Sequence, residues 1–151
     1  MSSLDTAEIL RILPHRPPML FIDRVVEVSP NEVIRAEKEI TAEEPALEGH
    51  FPPPGRPVMP GVLILETMAQ AGAILVHATE PFDPERQPLT LLGVDRARFR
   101  RFVVPGDTLR VECTIAARRG NTWRLKATAR VGDEVAADAS FLAQVGDGTN
   151  S

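Results

Sequence analysis

Pro60-Gly61-Val62-Leu63-Ile64-Leu65-Glu66-Thr67-Met68-Ala69-Gln70-Ala71-Gly72-Ala73-Ile74-Leu75-Val76-His77-Ala78-Thr79 is the one stretch of this chain that reads as a long helix, Gly61 to Thr79. Advanced at 100° per residue, Glu66, Gln70, Ala73 and His77 fall on one narrow stripe. Val62, Leu63, Ile64, Leu65, Met68, Ile74, Leu75 and Val76 cover nearly everything else. A helix apolar on most sides must be wrapped by other structure. Its polar interruptions make a membrane span costly, so none is expected.

The sequence on either side supplies the wrapping. Asp5 is placed to cap a short helix, Thr6 to Ile12, with Glu8 completing a capping box and Pro14 ending it. Pro14-His15-Arg16-Pro17-Pro18 excludes regular structure, because its prolines remove donors and fix φ. Met19 to Val28 and Glu32 to Ile40 read as a hairpin turning at Ser29-Pro30-Asn31. A long loop follows over 41–60, with five prolines after Pro45. Beyond the helix, strands are expected over Leu89 to Phe102, Thr108 to Arg118, Thr122 to Val131 and Glu134 to Val145, the last three as an antiparallel meander. About six antiparallel strands curled around one central helix make an α+β fold. The expected organisation is one domain over 1–146 and a loose tail over 147–151.

Composition narrows the classes. With 151 residues, 43% apolar and 25% charged, the chain is one globular domain and not a disordered segment. Cys113 is the single cysteine, so no internal disulfide can form; with no basic, apolar leader, a cytoplasmic location is expected. Neither metal-ligand spacing nor a Gly-rich phosphate loop is present, so no metal and no organic cofactor is expected. The net charge of -4 conceals an asymmetry: Arg96 to Val131 holds ten Lys/Arg against Asp107 and Glu112 alone. Such a field attracts acidic partners. Nucleic acid is disfavoured, because aromatic platforms are few: no Tyr, and Trp123 alone of its kind.

Two residues stand out chemically. Glu66 lies on an otherwise apolar helix, where burial raises a carboxyl pKa and makes the group a candidate general acid. Gln70, four residues on, is in range to hydrogen-bond it. His50, in Gly49-His50-Phe51-Pro52, is a candidate base. At Gly61 the first helical N–H groups have no intrahelical partner, and a glycine lets a carbonyl approach the backbone closely. Blander roles suit the rest: His77 balancing the helix dipole, His15 bracing its loop, and Cys113 packing inward with Val111 and Ile115.

The string Gly49-His50-Phe51-Pro52 … Pro57-Val58-Met59-Pro60-Gly61-Val62-Leu63-Ile64-Leu65-Glu66-Thr67-Met68-Ala69-Gln70 closely resembles the signature of the β-hydroxyacyl-acyl carrier protein dehydratases of the FabZ type, in the hot-dog fold superfamily. Leu13-Pro14-His15-Arg16-Pro17-Pro18, Ile22-Asp23-Arg24-Val25, Gly93-Val94-Asp95-Arg96-Ala97-Arg98-Phe99 and Val104-Pro105-Gly106-Asp107 extend the resemblance over most of the chain. The related FabA type carries Asp where this chain has Glu66. The resemblance implies syn elimination of water from a (3R)-3-hydroxyacyl thioester on acyl carrier protein, giving the trans-2-enoyl product. In it His50 takes the α proton, Glu66 protonates the departing hydroxyl and the Gly61 N–H stabilises the thioester oxygen, with Phe51, Val62 and Gln70 beside the substrate. It also implies a homodimer in which His50 and Glu66 meet across the interface, and hexamers built as trimers of dimers.

An acidic carrier protein gives the basic region a partner. Strand alternation over Arg96-Ala97-Arg98-Phe99-Arg100 turns Arg96, Arg98 and Arg100 one way, with Arg101 following, and this is the candidate docking patch. The chain departs from the family pattern at Pro53-Pro54-Gly55-Arg56, four residues where two are usual, and at Ala46-Leu47, where aromatics are common. The insertion either bulges outward or reshapes the tunnel mouth. Rival readings are a hot-dog acyl thioesterase and a non-catalytic acyl-binding subunit.

Overall fold

The computed structural model of the chain describes residues 2–51 and 54–146. The element order is β1 (Ser2–Leu4), α1 (Thr6–Ile12), β2 (Arg24–Ser29), β3 (Val33–Glu39), α2 (Pro45–Glu48), α3 (Gly61–Thr79), β4 (Leu89–Phe99), β5 (Thr108–Arg119), β6 (Thr122–Val131) and β7 (Glu134–Val145). The strands form one antiparallel sheet in the order β1-β2-β3-β5-β6-β7-β4. This is the hot-dog arrangement expected from the sequence, with seven strands in place of six. The expected loose tail over 147–151 lies outside the described residues.

Alternation along the strands builds the core. Ile34 on β3, Cys113 on β5, Ala127 on β6 and Ala139 on β7 are cross-strand partners in one continuous row, all buried. The alanines of β6 and β7 (Ala127, Ala129, Ala137, Ala139, Ala143) leave the concave face shallow enough for a helix to lie on it. α3 answers with small residues of its own. A Cβ at Gly72 would meet Leu125 Cδ1 at 2.8 Å and Cys113 Sγ at 3.5 Å. Burial pushes the Cys113 thiol up to about 12, leaving it an inert core group. α3 is long and apolar enough to cross a bilayer, yet it is the core helix of this domain, buried along most of its length.

Several expectations hold in detail. Asp5 Oδ1 accepts from the Glu8 amide at 2.8 Å while Glu8 Oε1 accepts from the Asp5 amide at 3.2 Å, the reciprocal capping box. Gly120 and Gly132 turn the meander at φ 60° and 59°. Other expectations need correction. The strand expected from Met19 begins only at Arg24, because Met19 O and Phe21 N–H are bonded to the Gln70 side chain and not to a neighbouring strand. β4 ends at Phe99, where the Arg100 and Arg101 amides both turn to Ala136 O. The three-residue β1 and four-residue α2 are too short to leave a periodic signal.

Because Gly72 sits against Leu125, Gly72→Val overpacks the helix–sheet contact. A loss of about 1–3 kcal/mol is expected, read as a lower urea midpoint at unchanged m-value.

Candidate active site

The loop before α3 fixes His50. The Met59 amide donates to Val103 O at 2.8 Å, and both residues are fully buried, which anchors the Pro57–Pro60 segment to the core. His50 Nδ1 lies 2.7 Å from the adjacent carbonyl, Val58 O. A carbonyl can only accept, so Nδ1 carries the hydrogen and Nε2 of a neutral ring keeps its lone pair. The neutral imidazole is thus held with one nitrogen left to accept a proton. Its neighbour Phe51 stacks on it at 4.5 Å between centroids, has φ 58°, and is 56% exposed.

α3 supplies the other half. Pro60 O accepts from the Leu63 and Ile64 amides, while no side chain caps the helix and the Gly61 and Val62 amides have no acceptor among the described residues. Two N–H groups therefore point out of a positive helix end. The glycine at this spot has a reason the sequence does not reveal: a Cβ on Gly61 would meet Phe99 Cε1 at 2.8 Å. The Phe99 ring, carried on β4, walls the amide site directly. Val62, expected beside a substrate, is 69% exposed.

Glu66, half-buried, follows one and a half turns into the helix. Burial raises its carboxyl above the ordinary value of 4.5; the His15 imidazole and a weaker interaction with Gln70 pull the other way. Gln70 is not chiefly the partner of Glu66. Its Oε1 accepts from the Phe21 amide and its Nε2 donates to Met19 O, both at 2.8 Å, so it clamps the segment after the proline turn across this face of α3. Neither a hydrogen bond nor a charge interaction joins His50 to Glu66 within one chain among the described residues.

The remaining histidines differ from expectation. Burial holds the His77 imidazole below its ordinary value and its ring packs edge-on against Phe82, which disfavours the charged form that would balance the dipole. The proline turn is braced by Arg16, whose guanidinium donates to the carbonyls of Leu10, Leu13 and His15, and not by His15, whose Nδ1 is buried without a partner among the described residues. The basic patch shrinks too. Arg100 is paired with Asp138 and Arg101 with Asp107 and Glu134. A bulge between Asp95 and Arg98, with Arg96 at φ 54°, breaks the alternation that would align three arginines.

The sequence and the fold are shared with known proteins. The FabA-like domain model matches residues 13–140. The chain belongs to that family, the FabA-like dehydratase class of the hot-dog fold. Its place within it is the FabZ type. The 3-hydroxyacyl-[acyl-carrier-protein] dehydratase FabZ of Myxococcus xanthus is 49% identical over 95% of this chain and 93% of its own length. The FabZ of an Anaeromyxobacter strain is 49% identical over 95% and 92%. In structure, the ApeI:P dehydratase heterocomplex of Xenorhabdus doucetiae superposes with a TM-score of 0.73 over 91% of this chain and 90% of that one, at 17% identity, a likeness of fold.

The buried acid makes stability pH-dependent. With its folded value above its unfolded one, Glu66 contributes stability that is full below the unfolded value and lost as pH rises through the folded one. Glu66→Gln, which cannot ionise, is expected to unfold at higher urea than the native chain near about pH 8 and at the same urea near about pH 3, measured by fluorescence-monitored denaturation.

Proposed function

We propose that the chain dehydrates 3-hydroxyacyl thioesters carried on acyl carrier protein to their trans-2-enoyl forms, as a lyase of fatty acid or related acyl-chain biosynthesis. The observation that carries this reading is a carboxyl whose affinity for a proton burial raises, one and a half turns from two unbonded helix amides. His50 Nε2 removes the α proton, and the electrons of that C–H bond form the Cα–Cβ double bond. The C–O bond breaks as Glu66 delivers its proton, so the hydroxyl departs as water. The Gly61 and Val62 N–H groups receive charge developing on the thioester oxygen, a contribution of about 3 kcal/mol. Proton transfer from the His50 imidazolium back to the Glu66 carboxylate resets the site. None of these steps calls for a metal or organic cofactor. A groove of about 920 Å³ adjoins the same face of α3; its apolar wall of Leu20, Phe21 and Leu63 suits an acyl chain, while Asp23, Lys38, Glu43 and Glu44 make its rim charged.

The site is complete only in a pair. β4 is an eleven-residue edge strand bonded to β7 alone, and Leu91, Leu92, Val94 and Phe99 are exposed along it. A second copy laid edge to edge would extend the sheet and remove this liability. In that homodimer His50 of one copy faces Glu66 of the other; trimers of such dimers give hexamers. Arg96 and Arg98, without ion pairs among the described residues, form what is left of the carrier-protein docking patch. The reading keeps the single domain over 1–146 and the cytoplasmic location.

Purified protein with a 3-hydroxyacyl thioester is expected to give enoyl absorbance without thiol release; thiol release first indicates a thioesterase, and neither signal a binding subunit. His50→Ala and Glu66→Gln are each expected to cost roughly 10²- to 10⁴-fold. Mixing the two inactive variants under subunit exchange should restore roughly a quarter of native activity, since each mixed dimer has one intact site. No recovery assigns the site to a single chain. Arg98→Glu should weaken carrier-bound substrate more than a small thioester surrogate.

A further inference from the structure

The groups at work in the proposed reaction leave His15 unused, yet its surroundings are unusual. Its Nδ1 is a buried polar nitrogen with no partner among the described residues, and such an atom asks for a function. The turn that carries it is held at both ends. Arg16 donates to Leu10 O, Leu13 O and His15 O at 3.0, 2.8 and 2.6 Å, fixing the backbone on the α1 side. Gln70 holds Met19 O and Phe21 N–H on the other side, so residues 15–21 lie across the face of α3 that bears Glu66 and Gln70. An imidazole is thereby fixed, with one nitrogen hidden from solvent, in the neighbourhood of the candidate acid.

We propose that His15 is a positioning residue for Glu66: its buried ring nitrogen holds the carboxyl group through one bridging water and so aims the proton that Glu66 delivers. The inference rests on the reading of Glu66 as the acid. Two groups of the same chain act on that carboxyl, His15 and Gln70; in the proposed dimer His50 of a second copy would be a third. A cationic imidazole favours the carboxylate, opposing the effect of burial. His15 thus sets how far burial can raise the acid, as well as where its proton points.

The test uses the full-length dimer and two variants. His15→Phe removes both the nitrogen and the charge; His15→Asn keeps a polar atom near the position of Nδ1 without the charge. Glu66 is titrated by ¹³C NMR in glutamate-labelled protein, its resonance assigned by its loss in Glu66→Gln. In His15→Phe the Glu66 midpoint is expected to move up by roughly half a unit or more. Its kcat on a 3-hydroxyacyl thioester should fall roughly 10- to 100-fold with KM little changed. In His15→Asn the midpoint should also rise, while kcat recovers to within a few-fold of native. An unmoved midpoint in a folded His15→Phe overturns the proposal, as does equal loss of kcat in both variants. Should His15→Phe fail to fold, His15→Asn decides alone: a raised midpoint supports the proposal and an unchanged one overturns it. The titration needs no turnover, so failure of the native protein to make enoyl product would refute the dehydratase reading and leave this result legible.

Discussion

The structure depends on burying a helix that has almost no polar side. α3 is covered closely because the opposing strands present alanines and the helix itself presents Gly72, against whose backbone the Leu125 and Cys113 side chains pack. The chemistry of the helix is set by where that covering ends and where it holds. At Gly61 and Val62 it stops, and the unbonded amides are left where the chain can no longer hide them. Further along, the same covering half-buries Glu66 and raises its affinity for a proton. The proposed acid and the proposed oxyanion donors are thus two outcomes of one packing arrangement.

His50 is positioned by different means. No secondary structure carries it; a buried anchor at Met59 and Val103 fixes the loop, and one carbonyl then selects its tautomer. The proposed base on a loop and the proposed acid on the core helix come from separate parts of the fold. Their meeting requires a second copy in the proposed dimer, whose seam is the unpaired edge of β4.

Much of this was legible in the residues. The bounds of α1, α3, β6 and β7 follow from periodicity, a capping box and glycine turns, all of which are local signals. The site residues stood out because a Glu on an apolar helix and a glycine at its start break local rules. What stayed hidden is what depends on distant partners. Gln70 is drawn to the Glu66 beside it by helical spacing, but two backbone groups nearly fifty positions away claim it instead. Phe99 reads as one more strand residue until the sheet order brings it onto Gly61. The arginine alternation fails at a bulge that no composition rule marks. His15 reads as a loop brace because its proximity to Glu66 exists only in three dimensions.

The contact between Gly72 and the tip of Leu125 has a historical consequence. Two positions that share one small volume do not drift independently: enlarging the first is expected to call for a shift or a reduction of the second. Helix and strand are therefore expected to inherit these sites as a pair.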